Sequence, residues 1–322
     1  MKAALATRNA ASLAITPTLI EAAKGYAAAA TSENTRRAYH RQWVAFVAWC
    51  ESAQLESLPA KPEALALYLS ALAERGLKVA TIEQASAAIV GAHRAKGLPS
   101  PREGIAARAA MRGIRRTLGT APREAAPVLA SHLHDMLAAL PASLVGVRDR
   151  ALLLVGFAGA FRRSELVGLT VADVAFQAEG LAVTLRRSKT DQEGAGRVVA
   201  LPYSATPDAC PARALKAWLE AATITTGPVF REVSRHGFVS PDALTGRSVA
   251  RIVKRAAKAA GLAPALYSGH SLRAGFVTQA KMRGKDEAAI MRQTGHRSVM
   301  MVRRYERRAE MWSHNAAAGL LD

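Results

Sequence analysis

Residues 32–50 read SENTRRAYHRQWVAFVAWC. Ser32 or Asn34 can cap a helix start here, because a short polar side chain accepts from the orphaned N–H groups of a first turn. Tyr39, Trp43, Phe46 and Trp49 then recur at spacings of four, three and three, which lines one helix face. Arg36, Arg37 and Arg41 fall on the opposite face. The stretch predicts an amphipathic helix with an aromatic inner side and a basic outer side. Its neighbours read the same way. Pro17, followed by Leu19, Ile20, Ala23 and Tyr26, marks a short helix upstream. Pro62 opens EALALYLSALAERG, which ends at Gly76. A further helix runs from about Thr81 to Lys96, with Ala85, Ile89 and Ala92 on one side, and another covers roughly Arg102 to Leu118.

At residues 119–130 the pattern stops. GTAPREAAPVLA holds two prolines and no period, so 121–130 reads as a linker. Beyond it, Ser131 is placed to cap HLHDMLAALP, and VGVRDRALLLVGFAGA reads as a buried helix. LAVTLRR and RVVALP alternate around the polar turn SKTDQEGAG, which predicts a β-hairpin. Helices follow at 211–222, 246–261, 271–282 and 286–294. The chain is expected to divide into an N-terminal segment (1–30), a helical domain (31–120), the linker, and a larger domain (131–322) ending in a tail (306–322). The fold class is mainly α with a small antiparallel β-sheet.

Composition narrows the function. The 322 residues carry 44 Lys and Arg against 25 acids, a net charge of +19. An excess that large points to a polyanionic partner, most simply nucleic acid. Residues 91–125 hold eight basic and two acidic side chains, and 281–308 hold nine and three. One such run is commonly a solvated helix face. One in each domain fits a protein that grips a duplex through its phosphates. Arg36, Arg37, Arg41, Arg94, Lys96, Arg112, Arg115 and Arg116 are the expected DNA contacts.

Two cysteines, Cys50 and Cys210, exclude a disulfide framework and a CxxC metal site and fit a reducing compartment. The longest apolar or glycine run, Ala151 to Phe161, has 11 residues and is too short to span a bilayer. Arg8 and Asn9 interrupt the place where an export signal needs its apolar core. These features predict a cytoplasmic, non-membrane protein.

Several chemistries are set aside by missing motifs. There is no GxxxxGK[ST] phosphate loop and no HExxH, and His132 and His134 are two apart, on different faces of a helix. What remains is a set of cations, histidines and a tyrosine. Arg162 and Glu165 in FRRSEL can pair at i and i+3, which alone reads as a surface ion pair. Lys189 sits at the hairpin turn, His270 and Arg273 lie in HSLR at a helix start, His296 follows Gly295 in TGHRS, and Tyr305 follows in VRRYERR. Each has a bland reading: a solvated lysine, a capping histidine, a surface aromatic.

In this order and spacing the set R-x-x-E, turn K, H-x-x-R, G-H-R-S and a late Y resembles the tyrosine recombinase, or phage integrase, family. Residues 32–50 are similar to the family's helical, SAM-like core-binding domain. The resemblance implies a C-shaped clamp on DNA. It implies that Arg162 and Arg273 grip the scissile phosphate, that Glu165 steadies the first arginine, and that Tyr305 is the nucleophile. His270 is then the general base, Lys189 the acid for the leaving 5′-oxygen, and His296 a hydrogen-bond donor to phosphate. It further implies a 3′-phosphotyrosyl intermediate, no metal, no ATP or other cofactor, and a homotetramer on two double-stranded sites with two protomers per site. The host would be a bacterium or a phage. Two details depart from the commonest pattern: Ala274-Gly275 follows HSLR, and Arg163 follows Arg162.

Other classes stay open at this stage. A type IB topoisomerase-like or telomere-resolving enzyme would share the site without exchanging partners. A silent DNA-binding protein would carry a broken constellation, whereas all six positions are filled. An RNA-binding helical protein would expose aromatics on sheet faces, and only 5% of this chain is aromatic.

Overall fold

The structure is a computed structural model, and it describes residues 16–121, 125–186 and 196–303. Lys189, Tyr305 and the tail lie outside these residues. The chain forms two compact units, Met1–Pro122 and Arg123–Asp322.

The first unit holds α1 (Pro17–Ala29), α2 (Glu33–Ser52), α3 (Pro62–Glu74), α4 (Val79–Ala95) and α5 (Ile105–Leu118). Ser32 is the cap of α2, and its Oγ accepts from the Thr35 N–H at 3.3 Å. The aromatic face turns inward as its spacing requires. Phe46 is fully buried and meets Tyr68 of α3 edge-on, with ring centroids 5.0 Å apart. Leu65, Leu69, Ile82, Ile89, Met111 and Ile114 complete this core. His93 is buried among them, accepting from the Ala60 N–H at 2.8 Å and bonding the Ile89 carbonyl through Nδ1.

The second unit holds α6 (Ala130–Ala138), α7 (Leu144–Ala158), α8 (Arg163–Val167), α9 (Pro211–Ala221), α10 (Gly246–Ala259), α11 (Ser271–Met282) and α12 (Glu287–Thr294). Strands β1 (Val174–Phe176), β2 (Gly180–Leu185) and β3 (Arg197–Pro202) form an antiparallel sheet in chain order. Leu185 pairs with Arg197, Val183 with Val199 and Leu181 with Leu201. The alternation buries Leu181, Val183, Leu185, Val199 and Leu201 on one face, against a core that surrounds α7. A second antiparallel pair joins β4 (Arg231–Val233) to β5 (Val239–Ala243).

Three local expectations change. Ser131 does not cap α6: the helix starts one residue earlier, and the His132 ring accepts from the Leu129 N–H at 3.4 Å. Strand β1 and the β4–β5 pair were not foreseen, because segments of three to five residues are too short to show alternation. Residues 126–128, read as linker, belong to the second core. Ala126 N–H donates to Leu266 O at 2.8 Å, Val128 N–H donates to Ser271 O at 3.0 Å, and Val128 is fully buried.

This last contact explains Gly275. Val128 crosses α11 so closely that a Cβ on Gly275 would lie 1.9 Å from the Val128 carbonyl oxygen. The obstacle is backbone, so it cannot swing aside. Gly275→Ala is expected to destabilise the second unit by about 1–3 kcal/mol, as overpacking does. A Cβ on Gly113 in α5 meets nothing within 4 Å, so Gly113→Ala is expected to stabilise by up to ~1 kcal/mol. Urea midpoints measure both, and equal midpoints for the two variants would contradict the crossing.

Candidate active site

The site is organised by the turn that follows α7. Ala160 adopts φ +48°, an uncommon conformation for a residue with a side chain. Arg273 of α11, only 1% exposed, donates to the Ala160 carbonyl through Nη1 at 2.7 Å. Phe161 then anchors the turn in the core.

Arg162 stands at the N-cap of α8, and Glu165 at the third position of that helix folds back to it. Its carboxylate accepts from the Arg162 backbone N–H at 2.9 Å and from Arg162 Nη1 at 2.6 Å. The Glu165 side chain is 1% exposed and that of Arg162 12%, so this is a buried pair and not the surface pair that spacing alone allows. Such a carboxylate is tolerated only because each oxygen is met by donors.

His270 caps the start of α11 with its backbone and remains exposed; its N–H donates to Ser268 Oγ at 3.1 Å. His296 follows Gly295, which ends α12 in the left-handed conformation (φ +67°) that glycine adopts without penalty. His296 is buried, with Nδ1 3.0 Å from Thr294 Oγ1. The Thr294 hydroxyl donates to Ile290 O at 2.7 Å, so toward His296 it accepts. The neutral ring therefore carries its proton on Nδ1.

Five of the expected residues thus come together: Arg162, Glu165, His270, Arg273 and His296. Lys189 and Tyr305 lie outside the described residues. A sixth group was not foreseen. Arg197 at the head of β3 lies 3.8 Å from Glu165 and donates to Gln293 O at 2.5 Å and Thr294 O at 3.3 Å. In sequence it is one arginine opening a strand, with only its place just past the hairpin turn to single it out. Burial draws its pKa below the usual guanidinium value, while Glu165 opposes that shift.

Arg163 also finds a place. Its stem runs over Gly269, where a Cβ would lie 2.4 Å from Arg163 Cδ, and the residue is exposed. In the first unit Arg36, Arg37, Arg41, Arg94, Lys96, Arg112 and Arg116 are exposed, with Arg37 paired to Glu33. Arg115 is half-buried and forks onto Glu83 at 2.5 Å and 2.8 Å, which spends part of its donor capacity inside the protein. Among the described residues no three His, Cys, Asp or Glu could hold a metal ion, and no helix is long and apolar enough to cross a membrane.

The chemical character of the site is a preorganised anion receptor: several fixed cations, one buried carboxylate and a neutral imidazole. Burial, followed by the charges of Arg273, Arg162, His270 and Arg197, pushes the His296 pKa down from 6.5 to about 3. The unfolded chain therefore takes up a proton here below about pH 6.5 that the folded chain refuses until about pH 3. Stability falls as pH drops through that window, and is unaffected by this group above it. Relative to His296→Gln, the wild type is expected to lose about 2 kcal/mol between pH 7 and pH 5 in urea titrations. Parallel pH profiles for the two proteins would show that the ring is not held neutral.

The comparisons with known proteins point the same way. Residues 128–311 match the model of the phage integrase family. The chain is 41% identical over 290 residues to an integrase/recombinase xerD homolog of Selenomonas ruminantium, covering 88% of this chain and 84% of that protein. It is 27% identical over 286 residues to the recombinase cre of Escherichia phage P1, covering 83% and 81%. The XerH site-specific recombinase, solved bound to a palindromic difH substrate, superposes with a TM-score of 0.62 at 20% identity over 81% of this chain and 73% of its own. With its family model spanning more than half of the sequence and a close relative along nearly its whole length, the chain belongs to the phage integrase family of tyrosine recombinases.

Proposed function

We propose that this protein is a site-specific DNA recombinase that cuts and rejoins strands through a 3′-phosphotyrosyl intermediate, using neither metal nor ATP. The observation that carries the reading is the anchoring of two arginines to one turn, the buried Arg273 through Ala160 O and the largely buried Arg162 through Glu165, beside a buried neutral histidine. A phosphodiester is the anion that planar, permanently charged forks suit best.

The Tyr305 oxygen attacks phosphorus, the P–O5′ bond breaks, and a P–O bond to tyrosine forms. The phenol's ordinary pKa near 10 requires a proton acceptor, a role given to exposed His270. Lys189 returns a proton to the leaving 5′-oxygen. Reversal by a 5′-hydroxyl from another strand completes the exchange, with bond energy conserved throughout. Arg162 and Arg273 stabilise the non-bridging oxygens of the five-coordinate phosphorus, each such donor contributing ~3–4 kcal/mol. Burial and the surrounding cations hold His296 neutral; the arriving phosphate offsets the cations, and the ring then takes up a proton from solvent and donates from Nε2.

The substrate class follows from the charge of the chain and from the relatives, one of which is solved on a difH site. Two protomers per duplex site and a homotetramer on two sites are the assembly we assign. The first unit supplies sequence-tolerant phosphate contacts through its basic helices, and the second is the catalytic domain. The protein works on DNA in the cytoplasm of a bacterium, as a cellular or phage product.

Tyr305→Phe tests the nucleophile. DNA affinity should survive while covalent adducts on a nicked suicide duplex disappear from denaturing gels, and persistent adduct in the variant would refute the assignment. Recombination between two sites should also proceed in excess EDTA, because the arginine pair supplies the charge that divalent ions supply elsewhere. A chemical step that stops in EDTA and resumes with Mg²⁺ would overturn the mechanism. Relaxation without partner exchange would assign the chain a topoisomerase-like activity instead.

A further inference from the structure

Arg197 is not among the residues expected to touch phosphate, yet it contacts three parts of the site. It opens β3, and its partner in register is Leu185 at the end of β2. Its guanidinium reaches the last turn of α12: Nη1 donates to Gln293 O at 2.5 Å and to Arg292 O at 3.3 Å, and Nη2 donates to Thr294 O at 3.3 Å. Helix C-termini leave such carbonyls without helical partners and carry partial negative charge, so a cation is well placed there. The same Nη2 lies 3.8 Å from Glu165 Oε2, the other oxygen of the carboxylate that grips Arg162. Its Nε is buried with no hydrogen-bond partner, and a Cβ on Gly295 would lie 2.9 Å from it. The guanidinium is therefore packed directly against the glycine that turns the chain into His296. Gln293 adds a second tie, its Nε2 donating to Ala158 O at 2.9 Å and Ala200 O at 3.2 Å.

We propose that Arg197 is a positioning residue for strand cleavage: one rigid guanidinium fixes the end of α12, and so His296, relative to Arg162–Glu165 and to the start of β3. This rests on the recombinase reading given above. A lysine keeps the charge but concentrates its donors at one point, and cannot span the carboxylate and three carbonyls that a planar fork spans. Displacements near 1 Å in such a site cost on the order of 10²-fold in rate.

The test uses the full-length protein with Arg197→Lys, His296→Ala and the double variant. Covalent adduct formation is followed in single turnover on a nicked suicide duplex, beside DNA affinity and melting temperature. Arg197→Lys is expected to bind DNA like the wild type and to cleave ~10²-fold more slowly. His296→Ala should add little on top of it, because the two act through one another. The His296 ring nitrogens should also shift in ¹⁵N spectra of Arg197→Lys, which a purely structural role would leave in place. Wild-type cleavage by Arg197→Lys, or losses that multiply independently in the double variant, would overturn the proposal. If Arg197→Lys melts far below the wild type, Gln293→Ala loosens the same helix end without removing charge and must reproduce the rate loss without loss of affinity. These outcomes are separable from the parent reading: adduct that persists in Tyr305→Phe removes both, whereas normal cleavage by a Tyr305-dependent Arg197→Lys enzyme removes this one alone.

Discussion

A single buried carboxylate carries the site. Glu165 sits in a medium where an unpaired charge is very costly, and it is accommodated by a backbone N–H and by guanidiniums on two sides. Because one of those donors is the backbone of Arg162 itself, the glutamate fixes the helix start and the arginine head in one gesture. Arg273, arriving from a helix more than a hundred residues away, is anchored to the carbonyl of Ala160 in the same turn. Both arginine heads are therefore referenced to residues 160–165, and their separation is set by one short piece of chain.

That arrangement concentrates like charge in a dry place, which costs stability in the free protein. The response is visible at His296, which is held neutral by burial and by the surrounding cations. The geometry suits a phosphate-like anion. Charge stabilisation is arranged in advance, so no dipoles need to reorganise when the anion arrives.

Much of this was legible in the sequence. The aromatic spacing of residues 39–49 found the inner face of α2, and the alternation of LAVTLRR and RVVALP found the hairpin with its register face. HSLR and FRRSEL located both arginines because helical spacing is a local property. Contacts between distant segments were not legible. Nothing in RVVALP says that its first residue ends under α12, and nothing in APVLA says that Val128 is buried beneath α11. Gly275, which looked like a mere departure from a pattern, is demanded by that crossing. The burial of the Arg162–Glu165 pair was likewise a property of the surrounding core and not of the i, i+3 spacing.

The strap formed by residues 126–128 has a consequence for how such chains are cut and joined. It supplies donors to Leu266 and Ser271 and fills a slot in the core, so it is a working part of the second unit although it contains no helix or strand. A gene fusion that gives the second unit a new N-terminal partner must place its junction upstream of Ala126. A junction at Ala130, where the first helix begins, would strip the strap away and leave the start of the Arg273-bearing helix without its covering strand of chain. The natural seam for exchanging modules lies several residues before the point where regular structure resumes.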